Sequence, residues 1–149
     1  MRELPRQLSV DELAGLFEGR TRLVERLAEL ENPLERAEAV VGELSDNELK
    51  EALDAHPAIG AGREGLSATS AAEQGEDAEP EVLAELERLN RDYEARNGFR
   101  FVTFVNRRPK AQVLEELRER ILRPREEELR RAARELVAIA RDRWRRSAG

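Results

Sequence analysis

The strongest constraint on this chain is its punctuation. At short intervals it carries residue combinations that start an α-helix, each followed by apolar residues spaced three and four apart. Ser9-Val10-Asp11-Glu12 and Ser45-Asp46-Asn47-Glu48 are capping boxes, in which a serine oxygen and a glutamate three residues on accept each other's backbone N–H. Asn32-Pro33 stops one helix and starts the next, with Asn32 as cap and Pro33 at the first helical position. Pro80, Pro109 and Pro124 are further restarts. Behind these signals run helical stripes: Leu13, Leu16 and Phe17, ended by Gly19; Leu23, Val24, Leu27 and Leu30 over 22–31; Leu34, Ala37, Val40, Val41 and Leu44; then Leu49, Ala52 and Leu53. Leu83, Leu86, Leu89, Asn90 and Tyr93 predict a long helix to about Arg96, with Gly98 as its stop. Val113, Leu114 and Leu117 carry a helix to about Leu122, and Leu129, Ala132, Ala133, Leu136, Val137, Ile139 and Ala140 carry the last one. The pattern predicts an all-α bundle of about seven helices, and 149 residues suit a single domain over 1–149.

Two stretches break the pattern. Residues 59–79 hold Gly60, Gly62, Gly65 and Gly75 among Ser67, Thr69 and Ser70, which reads as a loop around a short helix near Ser70 to Gln74. A loop of that length in a compact domain is either a flexible linker or a site loop. Phe99-Arg100-Phe101-Val102-Thr103-Phe104-Val105 is the one β-type, aromatic segment, and three of the four phenylalanines fall in it. No second strand is evident to pair with it, so it is expected to be a short, extended, mostly buried connector whose aromatics pack in the core.

Composition narrows the chemistry. There are no cysteines and one histidine, so disulfides, thiolate nucleophiles, cysteine zinc sites and histidine-rich metal sites are all excluded. The net charge is −6 and the arginines are interspersed with acids, which gives no basic footprint for nucleic acid. No apolar run is long enough for a membrane span and the N-terminus lacks a signal-peptide core, so the expectation is a soluble, cytoplasmic protein. Arg141, Arg143, Arg145 and Arg146 end the last helix, where cations suit the helix dipole.

His56 is therefore the residue to weigh. It stands before Pro57, which must end the fourth helix, and just ahead of the glycine-rich stretch. A group that titrates near neutral pH at such a place suits acid–base work, although a lone histidine is more often a cap or a packing residue. In a short helix Ser70, Glu73 and Gln74 share one face and could grip a small, hydrogen-bond-rich ligand. The same residues also read as a simple capping box, Ser70 to Glu73, with Gln74 in water.

Taken in order, the segments His-Pro-x-Ile-Gly from His56, Ser-x-x-Glu-Gln-Gly from Ser70, Leu-Asn-x-x-Tyr-Glu-x-Arg-x-Gly-Phe-x-Phe-Val from Leu89, and Ile-Ala-Arg-Asp-Arg-Trp from Ile139 resemble one family. It is the 2-oxo-4-hydroxy-4-carboxy-5-ureidoimidazoline (OHCU) decarboxylase family, and the resemblance covers roughly Leu8 to Arg146. It implies an all-α, cofactor-free carboxy-lyase of urate degradation, usually a homodimer, that converts the small molecule OHCU to (S)-allantoin, with no metal, nucleic acid or membrane partner. It further implies that His56 and Glu73 are catalytic. Pro57, Ser70, Ala71, Ala72, Glu73, Gln74, Arg143 and the segment Phe101, Val102, Thr103, Phe104 and Val105 would bind substrate, the segment through its backbone. Arg141 is the weaker match for the family's C-terminal arginine.

Two departures stand out. The family usually has an aromatic at Asn97, a residue well suited to a left-handed turn before Gly98. Arg107-Arg108-Pro109, where many members have glycine, reads as surface variation. Two other readings stay open on the residues themselves: a lyase for a related ureido or imidazoline substrate, and a non-enzymatic helical interaction module.

Overall fold

The computed structural model describes residues 3–57 and 79–147, and seven α-helices lie within them. They are α1 (Val10–Phe17), α2 (Arg22–Ala28), α3 (Pro33–Glu43), α4 (Asp46–Asp54), α5 (Pro80–Asn97), α6 (Lys110–Arg120) and α7 (Arg125–Arg146). The fold is all-α. No described residue forms a β-strand, and no described helix is long and apolar enough to cross a membrane.

Local chemistry accounts for most helix ends. Both expected capping boxes are made: Glu12 N–H donates to Ser9 Oγ and Ser9 N–H to Glu12 Oε1, and Ser45 and Glu48 repeat the exchange. Thr21 caps α2 with a single bond, its hydroxyl oxygen accepting Val24 N–H. α2 ends at Ala28, three residues before the expected Glu31. The chain tightens there, with Glu29 and Leu30 N–H donating three residues back to Arg26 and Leu27. Asn32 holds the cap position of α3, but not as expected from its side chain, which makes no capping bond; its backbone is left-handed (φ 53°) and its N–H donates to Arg6 O at 2.7 Å. Pro33 and Pro80 do sit in the first turn, whereas Pro109 and Pro124 are the cap residues of α6 and α7. The left-handed turn after α5 falls on Gly98 (φ 81°), not on Asn97, which is the last helical residue.

α7 is the organising helix. It packs against α1, α3 and α4, while α2 joins α1, α3 and α4 from the other side and α5 pairs with α6. The face of α7 that carries Ala132, Leu136, Val137 and Ala140 is buried, and Phe17, Leu23, Leu27, Leu34 and Leu53 close the core around it. Arg141 ties α7 to the start of α3, donating from Nε to Leu34 O at 2.9 Å and pairing with Glu38. The residues from Phe99 to Val105 form the extended connector expected from sequence, running between the α5 and α6 ends with Phe101, Val102, Thr103 and Val105 buried.

Candidate active site

Three parts of the fold meet at the end of α4. His56 N–H donates to Leu53 O at 3.1 Å, so the imidazole follows directly on the last helical turn, and Pro57 prevents continuation. The connector is fastened to this corner by Arg100. Its N–H donates to Asp54 Oδ1 at 3.0 Å, its guanidinium donates to His56 O and to Asp54 O, and Nε pairs with Glu94 at 2.9 Å. From α7 comes Arg143, and from the end of α1 comes Glu18, whose Oε1 lies 3.1 Å from Arg143 Nη2. Arg143 Nη1 also donates to Leu16 O at 3.1 Å.

His56 is only 5% exposed, and its Nε2 is buried without a hydrogen-bond partner among the described residues. Burial is the main reason that the imidazole is pushed down from its ordinary 6.5 to about 4. The charge of Arg143 acts in the same direction, Glu18 opposes it, and Arg100 adds a smaller push downward. At neutral pH the ring is uncharged and one nitrogen is a base. A neutral, dry imidazole next to a buried cation can bind an anion at the cation and exchange a proton at the ring.

The connector is pinned by a separate buried network. Arg120 Nη1 donates to Val102 O at 3.0 Å, its Nε to Glu128 Oε1 at 2.8 Å, and its plane lies over the Phe101 ring, 4.7 Å from the centroid. Tyr93 donates its hydroxyl to the same Glu128 oxygen at 2.7 Å. Glu135 of α7 accepts Phe104 N–H at 3.1 Å and sits 2.9 Å from Thr103 Oγ1, which also contacts Glu116. Arg108 is not the surface variation expected from sequence. It grips Phe104 O and Val105 O at 3.0 Å each and pairs with Glu116 at 2.9 Å, leaving Arg107 as the exposed member. These bonds occupy the carbonyls of Val102, Phe104 and Val105 and the amide of Phe104. The backbone groups of Phe101 and Thr103 have no such protein partner among the described residues.

The expected site residues thus fall into three sets. His56, Pro57 and Arg143 converge on one corner, and the connector is fastened to it through Arg100. Ser70, Ala71, Ala72, Glu73 and Gln74 lie outside the described residues. Glu18 belongs to the corner but carries no signal in the sequence beyond the end of its helix. Asn97, in place of the family aromatic, is 2% exposed with both side-chain amide atoms unpartnered among the described residues.

A family model described as OHCU decarboxylase matches residues 2–145. The chain belongs to the OHCU decarboxylase family. Its fold is similar to that in a crystal structure of OHCU decarboxylase in the presence of (S)-allantoin, with a TM-score of 0.72 and 23% identity over 89% of this chain and 94% of that one. It is also similar to a crystal structure of (S)-allantoin synthase, with a TM-score of 0.68 and 23% identity, covering 90% of this chain and 47% of that one. No curated protein matches the chain. At such identities the structural likeness is one of fold, and the family match carries the activity: this chain is a decarboxylase of the OHCU decarboxylase family.

Proposed function

We propose that the corner formed by His56, Arg143 and the connector decarboxylates OHCU to (S)-allantoin, without a cofactor, in urate degradation. The observation that supports this reading most is the buried, neutral His56, its Nε2 unpartnered among the described residues, beside the buried cation of Arg143. In OHCU the carboxylate sits on a hydroxyl-bearing carbon next to a C=N bond. When the C–CO2 bond breaks, its electron pair becomes a ring C=C bond and the imine π pair moves onto nitrogen, which takes one proton from water, so the substrate carries its own electron sink. A proton then leaves the hydroxyl as it becomes the carbonyl, and one proton is added to a single face of the ring carbon that bears the ureido group.

His56 handles those protons. Neutral at rest, it takes the hydroxyl proton as a base, and the imidazolium so formed returns it to the ring carbon as an acid. A bound substrate carboxylate offsets the Arg143 charge, which brings the imidazole closer to the working pH. Arg143 anchors the carboxylate or a ring carbonyl through its guanidinium. The backbone of the Phe101–Val105 segment reads the ring amides, most simply through Phe101 and Thr103, whose backbone groups the brace does not use. Glu73 hydrogen-bonds the hydroxyl or a ring nitrogen and orients or charge-tunes His56, and Ser70, Ala71, Ala72 and Gln74 bind substrate with it. The same proposal takes 1–149 as one domain that works as a cytoplasmic homodimer, as the family resemblance implies.

The test is a coupled assay. Urate, an oxidase and a hydroxyisourate hydrolase generate OHCU, and its decay is followed by absorbance and circular dichroism. Rapid appearance of the (S)-allantoin signal on adding the protein is the expected result, and decay no faster than the spontaneous rate would rule the reading out.

A further inference from the structure

Glu18 occupies a backbone position that needs explaining. It follows the last residue of α1 in a left-handed conformation (φ 64°, ψ 25°), where a side chain crowds its own backbone and glycine is favoured. Gly19 stands immediately after it, so the helix stop could be served by glycine with no such strain. Strain held in this manner points to a use for the side chain. That side chain is mostly buried, 16% exposed, and reaches the 4% exposed side chain of Arg143 at 3.1 Å. With Leu16 O on the other terminal nitrogen, the end of α1 holds the guanidinium at two points.

We propose that Glu18 is a positioning residue for the decarboxylase, fixing the Arg143 guanidinium and partly neutralising it beside His56. The proposal rests on the reading that His56 and Arg143 act on the substrate. Two consequences follow from the charge. An arginine left at full strength would bind the reactant carboxylate firmly, but that negative charge leaves the carboxylate in the transition state, so tight reactant binding lowers KM without raising the rate. Tempering the cation shifts the balance toward the transition state. The same carboxylate also keeps His56 from losing its basicity to Arg143. Among the described residues the charged groups that act on His56 most strongly are Arg143 from α7, Glu18 from α1 and Arg100 from the connector, and the Arg100 guanidinium is already engaged by Glu94 and the Asp54 carbonyl. Among the described residues Glu18 is the one carboxylate of these three charges.

The chain has one histidine, so a nuclear magnetic resonance titration of the imidazole reports His56 without assignment by mutation. Removing the carboxylate in Glu18→Gln should move the His56 midpoint below its value of about 4, lower kcat about tenfold, and leave KM unchanged or smaller. Glu18→Gly removes the same charge but relieves the backbone strain, so it should melt above Glu18→Ala while showing the same kcat loss and the same downward titration shift. Glu18→Asp, which keeps the charge, should recover part of kcat. A merely structural role would open the corner and move the midpoint upward toward 6.5. That upward shift, an unchanged midpoint, or a kcat within twofold of the parent in Glu18→Gln would overturn the proposal. If His56→Asn itself turns OHCU over at the parental rate, the site assignment fails instead, and the titration of Glu18→Gln still reports the Glu18–Arg143 contact.

Discussion

Two buried arginines of this protein are set in opposite ways. Arg120, 1% exposed, is enclosed by Glu128, Glu116, the carbonyl of Val102 and the face of Phe101. Burial works against its charge, but the carboxylates and Tyr93 outweigh it and hold the guanidinium above its ordinary pKa. Tyr93 is driven upward by burial and by its bond to Glu128, so neither Arg120 nor Tyr93 changes charge near neutral pH. Arg143 is buried too, but its neighbour is an imidazole pushed down to about 4 with an unpartnered Nε2 among the described residues. A buried charge alone does not mark a site. A buried charge next to a group that can still gain or lose a proton does.

Breaking the two arginine sites should separate stability from turnover. Glu128→Leu leaves Arg120 charged in a dry interior and should cost about 3–5 kcal/mol of stability, read from urea unfolding. Replacing both partners, as in Arg120→Met with Glu128→Leu, should recover most of it, because an apolar pair removes the unpaired charge. Arg143→Met should cost only about 1–2 kcal/mol, since Glu18 keeps some contact with water, yet it should lose most OHCU turnover. Equal stability losses at the two sites would erase the distinction drawn between them.

The next effect is a pH slope. The folded chain holds His56 at about 4 against an ordinary 6.5, so between those values the unfolded chain binds more protons and stability falls as the pH falls. At about 1.4 kcal/mol for each tenfold in proton affinity, this group contributes about 3 kcal/mol, fully present above pH 6.5 and gone below pH 4. Carboxylates add their own slopes, so the comparison to make is with His56→Asn, which should be flatter over this window alone. Parallel curves would mean that His56 is not held neutral by the fold.

How much of this was legible in the sequence depends on the range of the interaction. Helix starts are local, and the Ser9 and Ser45 boxes and the position of Pro57 can be read from a few adjacent letters. His56 and Arg143 could be singled out by the family motif, but not their relation to Glu18, because α1 and α7 meet only in the folded chain. Arg108 reads as a surface variation for a different reason: its partners, the carbonyls of Phe104 and Val105, are close in sequence, but carbonyls leave no mark on residue type. The Asn97 side chain was expected to ease a turn, yet Gly98 takes the left-handed position and Asn97 is buried with its amide unpartnered among the described residues.

That amide supplies the smallest prediction. A buried amide without partners carries its desolvation cost uncompensated, so Asn97→Leu should stabilise the chain by about 1 kcal/mol and leave turnover unchanged. A loss of stability would mean that the amide is satisfied by an internal water.

The most direct test compares His56→Asn with the parent on freshly generated OHCU, with circular dichroism following the chirality of the product. The parent should give (S)-allantoin rapidly. The variant should fold with the same far-ultraviolet spectrum but lose about a hundredfold or more in rate, leaving only slow, racemic spontaneous decay. A folded variant that still made (S)-allantoin at the parental rate would contradict the role of His56 as the proton-handling group of this decarboxylase.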